Sequence, residues 1–179
     1  PFTTAHPPHR ACLRPNRSCT IKPHMSILAL DIREVPIQLH LGNHPPVAAA
    51  LFLHQHGPRG REGLLERLNG TEGFIPVRWE GSIHLVGRAS ISYLETSESP
   101  PSDSDELPEV VVEPSYMRLR LRSGQELTGS IRVFLPDNRN RLLDFLNLKD
   151  RFFGLSTGAG LAVVNKDWIE TAEPLAGEP

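Results

Sequence analysis

Cysteine is nearly missing from this chain: of 179 residues only Cys12 and Cys19 are cysteines, and both lie among the first 24. Everything after them is without the means for a disulfide framework or a thiolate zinc site, which fits a reducing compartment and carries the expectation of a cytoplasmic protein. Aromatic residues are scarce at 6%, and no run approaches the roughly 18 consecutive apolar residues of a membrane-spanning helix, so no membrane span is expected. Charge of one sign is not in excess: the formal net charge of -2 argues against a generally basic nucleic-acid binder, though local patches remain open. Histidine is missing after His84. No Ser-His-Asp or Cys-His set can therefore form in the second half, and no cofactor is expected.

What is present falls into five stretches. Residues 1–24 carry five Pro and four bases (Arg10, Arg14, Arg17, Lys22), no acid and no apolar period, so they cannot bury enough to fold. They read as a disordered or non-native leader, with Met25 as the natural start. Residues 95–114 carry seven acids, no base and four Pro, the composition of a solvated linker extended by its own repulsion. Val110-Val111-Val112 within it could add a short edge strand between Pro108 and Pro114. The remaining stretches, 25–94 and 115–174, are the foldable parts, followed by a tail at 175–179.

Those two parts share a plan. Leu64-Leu65-Glu66-Arg67-Leu68-Asn69 lies over Leu142-Leu143-Asp144-Phe145-Leu146-Asn147, Phe74-Ile75-Pro76-Val77 over Phe152-Phe153-Gly154-Leu155, and Ile83-His84-Leu85-Val86 over Leu161-Ala162-Val163-Val164, at a constant offset of 78. Each unit has about 60 residues, near the lower limit for a self-sufficient core, so packing of the two together is favoured, with the acidic stretch looping outside. In the first unit Val35, Ile37, Leu39 and Leu41 alternate with Pro36, Gln38 and His40, the period of a half-buried strand. Gly42 to Pro46 turns, and Val47 to His54 returns. A short helix over Arg61–Asn69, a hairpin about Glu80-Gly81, a single turn at Gly87-Arg88-Ala89 and a last strand Ser90–Leu94 follow. In the second unit Met117, Leu119 and Leu121 alternate with Arg118, Arg120 and Arg122, Leu127 to Leu135 returns, and Pro136-Asp137-Asn138 opens a helix to Asn147. A hairpin, the turn Asn165-Lys166-Asp167 and a strand from Trp168 complete it. Gly129 marks a sharp mid-strand bend.

This pattern predicts a mainly β protein of two tandem SH3-like or Sm-like barrels, each with a short helix between its second and third strands. The runs RLRLRSGQELTGSIRVFLP, RLLDFLN and VVNKDWI resemble a small bacterial domain of unknown function with an Sm-like or SH3-like barrel. The resemblance covers 116–174 and extends less closely over 35–94. It implies a fold and no activity.

Three chemistries are open to these residues. Arg118, Arg120 and Arg122 align three guanidinium groups on one strand face, with Arg132 on the return strand, an array that can hold phosphates or RNA. The plainer reading is the solvated outer face of a strand, since no aromatic residues alternate with the arginines to stack bases. His54-Gln55-His56 with His40, His44 and His84 could gather metal ligands, but no carboxylate or Cys accompanies them at ligand spacing. Arg139 and Arg141 ahead of Leu155-Ser156-Thr157-Gly158-Ala159-Gly160 resemble the signature of the PilZ cyclic-di-nucleotide barrels, without its acidic or Asn residue. The leading expectation is a non-enzymatic interaction or regulatory module with a protein partner or self-association. Its candidate docking helix carries Phe145 and Arg141. Leu142 and Leu146 are expected to be buried, and Phe145, whose counterpart is Arg67, to be partly exposed.

Overall fold

The computed structural model describes residues 31–55, 60–97, 114–132 and 142–177. Ten strands are present: β1 (Ile32–Leu41), β2 (Val47–His54), β3 (Phe74–Trp79), β4 (Ser82–Gly87), β5 (Ile91–Thr96), β6 (Ser115–Leu121), β7 (Glu126–Ile131), β8 (Phe152–Thr157), β9 (Gly160–Asn165) and β10 (Ile169–Leu175). Two one-and-a-half-turn helices, α1 (Leu64–Leu68) and α2 (Leu142–Leu146), precede β3 and β8. One-turn 3₁₀ helices at Arg88–Ser90 and Lys166–Trp168 lead into β5 and β10.

All ten strands belong to one antiparallel sheet in the order β10-β6-β7-β8-β9-β5-β1-β2-β3-β4. The first five strands run β5-β1-β2-β3-β4 and the second five β10-β6-β7-β8-β9, the same connectivity twice. The halves meet where β5 pairs with β9, in the register Tyr93↔Val164, Leu94↔Val163, Glu95↔Ala162 and Thr96↔Leu161.

Closed barrels do not form. Closure of the first half would require β5 to pair with β4, but the outer edge of β5 is taken by β9, and among the described residues β4 and β10 each have one neighbour. The sheet is therefore open and continuous.

Strand periodicity explains how one sheet carries two cores. In β1, Val35, Ile37 and Leu39 point inward while Glu34 and Pro36 face out; in β6, Met117, Leu119 and Leu121 do the same against Arg118 and Arg120. The first core gathers β1–β5 with α1 but also takes Phe152 and Val163 from the second half. The second gathers β6–β10 with α2 and takes Tyr93 from the first. Along β5, Leu94 faces the first core and Tyr93 the second; along β9, Val163 faces the first and Val164 the second. The two cores thus lie on opposite faces of the sheet at the seam. Both faces being covered, β5 and most of β9 are buried without the alternation of a half-exposed strand, Ser92 and Thr96 included.

Between β7 and β8 the ladder is reduced to the single pair Ser130↔Ser156, where the two backbones approach closely. Gly129 permits this: a Cβ there would clash with the Ser156 carbonyl and press on the Leu155 side chain at 2.9 Å. Gly42, with φ +53, makes the turn after β1 and leaves room for the indole of Trp168, which a Cβ would meet at 3.1 Å.

The helix expectations need correction. Phe145 is buried at 8%, edge-on to Phe153 with ring centroids 5.2 Å apart, whereas Leu142 and Leu146 are only half-buried. Arg67, its counterpart in α1, is also mostly covered and lies near Glu62 (4.0 Å) and Glu72 (3.8 Å), so the shared position faces inward in both halves with different chemistry. Leu146 is less buried than its counterpart Leu68 because α1 is covered by the β8–β9 hairpin and α2 has no such cover among the described residues. The leader, the Val110–Val112 run, Pro136-Asp137-Asn138, Arg139 and Arg141 lie outside the described residues.

Candidate interaction surface

The seam shows how this fold buries an exposed strand pair. In the β8–β9 hairpin, Phe152, Leu161 and Val163 share one face, set by the register Phe152↔Asn165, Gly154↔Val163 and Ser156↔Leu161. That face packs into the first core against α1 and β5. Polar clasps fix it. The Asn69 side chain donates to the Phe152 carbonyl at 2.9 Å and accepts from the Phe152 N–H at 2.8 Å, acting as a surrogate strand. The fully buried Asn165 donates through Nδ2 to the Ile91 carbonyl at 2.8 Å and accepts at Oδ1 from Asp167 N–H at 3.0 Å. Trp168 Nε1 donates to the Ala89 carbonyl at 2.8 Å.

The corresponding hairpin of the first half, β3–β4, has no such cover among the described residues. Its register, Phe74↔Gly87, Pro76↔Leu85 and Arg78↔Ile83, puts Phe74, Pro76, Ile83 and Leu85 on one outward face. Phe74 is 65%, Ile83 63% and Leu85 73% exposed, an apolar stripe along the sheet's free edge. In the second half Leu143 of α2 and Leu148 in the turn after it are also exposed. The stripe escaped sequence reading because a hairpin apolar on both strand parities looks like ordinary core. The signal available was the offset of 78, which pairs Phe74, Ile83 and Leu85 with Phe152, Leu161 and Val163.

The basic 3₁₀ turns are structural. Arg88 donates to the carbonyls of Leu68 and Gly70, and Lys166 Nζ to those of Phe145 and Leu148, both at 3.1 Å, so each closes the C-terminal end of its helix. Burial lowers the Lys166 pKa from its usual value, opposed by Asp150. Gly87-Arg88-Ala89 therefore performs the task of Asn165-Lys166-Asp167, apart from the amide of Asn165.

The arginine face does not present a free cationic array. Arg118 pairs with Glu173 at 3.2 Å and Arg120 lies 4.0 Å from Glu126, each a cross-strand neighbour; Arg122 is exposed beyond them. Arg132 lies at the far end of the neighbouring strand, four residues past Thr128, the partner of Arg118, or about 13 Å along at ~3.3 Å per residue. There it lines a cleft of about 880 Å³ between α1 and α2, shared with Lys166 and with the acids Glu66 and Asp150. The structure thus groups Arg118, Arg120 and Arg122 and separates Arg132.

His40 and Glu95 occupy the positions of Arg118 and Glu173. Here the basic member is buried at the seam: His40 is 7% exposed, stacks on Tyr93 with ring centroids 3.8 Å apart, and places Nε2 3.6 Å from the half-exposed Glu95. Burial lowers the imidazole pKa, with Glu95 pulling the other way; burial and then Glu95 push the Tyr93 hydroxyl above the usual phenol range. His84 packs on Trp79 and His44 is on a turn; among the described residues no three His, Cys, Asp or Glu side chains cluster as a metal site would need. Thr157 Oγ1 is engaged within the β8–β9 turn, donating to the Gly160 carbonyl at 2.9 Å and accepting from Ala159 N–H at 3.3 Å. No helix among the described residues is long and apolar enough to cross a membrane.

No family model, curated protein or solved structure matches this chain.

Proposed function

We propose that this protein is a non-enzymatic, bacterial, cytoplasmic interaction module made of two copies of one small unit of Sm-like or SH3-like type, which acts by docking a protein on the free β3–β4 edge. The offset of 78 and the repeated strand connectivity support the duplication. One observation carries the docking role: Phe74, Ile83 and Leu85 form an outward apolar stripe on the edge hairpin, a surface that soluble proteins otherwise blunt with charge or cover. The test is a photo-crosslinking residue placed at Leu85 in cells, with Glu126 as the control position. A discrete protein adduct from Leu85 and none from Glu126 is expected; no discrete adduct from Leu85 overturns the proposal. Phosphate or RNA binding by Arg118, Arg120, Arg122 and Arg132 is the weaker reading, because two of these arginines face acids and one is remote. Salt-sensitive binding of labelled single-stranded RNA, lost in Arg122→Glu, would reverse that order. Cyclic-di-nucleotide binding has less support still, since the turn hydroxyl of Thr157 is already engaged.

A further inference from the structure

We propose that the occupant of the β3–β4 edge is the α2–β10 end of a second copy of this chain, so that the seam inside one molecule is repeated between molecules. The inference rests on the docking role argued above and assigns its partner.

The internal seam joins the fourth strand of one half, β9, to the fifth strand of the other, β5. Among the described residues the two free edges are a fourth strand, β4, and a fifth strand, β10. One molecule therefore ends in the two complementary surfaces that already fit together at its middle. The exposure pattern agrees on both sides. Phe74, Ile83 and Leu85 are exposed where Phe152, Leu161 and Val163 are wholly or partly buried. On the receiving side, Leu68, Ile91 and Leu94 are fully buried beneath the β8–β9 hairpin, while their counterparts Leu146, Ile169 and Ala172 are only partly covered. Leu65 packs against the first core, whereas its counterpart Leu143 is 67% exposed. The residues that remain open in the second half are those that a docked β3–β4 hairpin would seal.

The expected register follows from the offset: Val86 opposite Thr171, Leu85 opposite Ala172, His84 opposite Glu173 and Ile83 opposite Pro174. Asn147, which holds the place of Asn69, would clasp the backbone of Phe74; its amide now donates to the Leu143 carbonyl at 2.9 Å and would have to turn. Two substitutions weaken this copy of the seam. Pro174 stands where Thr96 does and has no N–H to give, and Gly87 stands where Asn165 supplies its buried amide. Association between chains is therefore weaker than the internal seam, reversible and dependent on concentration. The contact joins different surfaces, so it builds a ring if the rotation closes and a fibre if it does not.

Purified full-length protein, Leu85→Lys, Leu143→Lys and an equimolar mixture of the two variants would be compared by size-exclusion chromatography with light scattering, with circular dichroism to follow folding. The wild type is expected to grow with concentration from 19.9 kDa to integer multiples of that mass. Each variant alone should be a folded monomer, having lost one of the two surfaces. The mixture should stop at twice the chain mass, because the intact β3–β4 edge of Leu143→Lys can join the intact α2–β10 end of Leu85→Lys only once. A wild type that stays monomeric at its highest soluble concentration, variants that still assemble, a mixture that remains monomeric, or a variant that unfolds because its side chain is packed within the chain would each overturn the proposal. If the wild type is monomeric while Leu85 crosslinks to a different protein in cells, the docking role stands and self-association falls.

Discussion

Replacing Phe152 with alanine should cost far more than the same change at Phe74, although the two residues hold equivalent places in the two halves. Phe152 is 1% exposed and belongs to the core of the opposite half; Phe74 is 65% exposed. Removing a buried ring forfeits its transfer free energy and leaves a cavity, typically about 3–5 kcal/mol for Phe→Ala. The clasp by Asn69 involves only the Phe152 backbone and survives the change, so the loss comes from the ring alone. At Phe74 the cost to folding of the isolated chain should be about 0.5 kcal/mol or less, the usual range for an exposed site. Against a total stability of roughly 5–15 kcal/mol, the first change should shift the urea midpoint plainly and the second hardly at all. Tryptophan fluorescence reports from both halves, since Trp79 lies in β3 and Trp168 at the seam. Equal losses at the two positions, or a loss below about 1 kcal/mol for Phe152→Ala, would refute the claim that the halves exchange core residues across a covered seam.

Asn69→Ala should destabilise by about 1–3 kcal/mol, read in the same urea experiment, because it strands a partly buried N–H and carbonyl of Phe152. Gly129→Val should lose about 1–3 kcal/mol or more by forcing β7 away from the Ser156 carbonyl, with loss of amide-exchange protection expected at Ser130 and Ser156 before the rest of the sheet. Burial holds the His40 pKa below its usual 6.5, so the unfolded chain binds a proton that the folded chain resists. The sign follows: stability is full above about pH 6.5 and falls as the pH drops below it, with Glu95 limiting the size of the effect. The melting temperature should therefore fall between about pH 7.5 and pH 5.5, and His40→Gln should show a smaller fall over that interval.

Much of the element plan is legible in the residues because it is local. Alternation in Val35-Ile37-Leu39 and Met117-Leu119-Leu121 marks two strands, the leucines of α1 and α2 mark two short helices, and Glu80-Gly81 and Asn165-Lys166-Asp167 mark their turns. These signals depend on steric preference and on the repeat of side-chain direction, which a chain carries without knowing its neighbours. The same local view fails where burial depends on a distant strand. The burial of Phe145 is hidden by its charged counterpart Arg67, and only the packed helices show both side chains turned inward. The outward stripe of Phe74, Ile83 and Leu85 could not be told from core by its composition.

The sequence alone determined that the molecule is mainly β, and it placed no cysteine after Cys19. Tertiary structure decided that β5 takes β9 as its partner, so that neither half closes and two cores form on opposite faces of one open sheet. It also decided that the arginines of β6 are balanced by Glu126 and Glu173, and that equivalent residues are sealed in one half and bare in the other. Alternation fixes which way a side chain points from its own strand, whereas the choice of strand at an edge rests on backbone groups that are the same in every residue but proline. That choice is written in no single segment and appears only when the whole sheet is assembled.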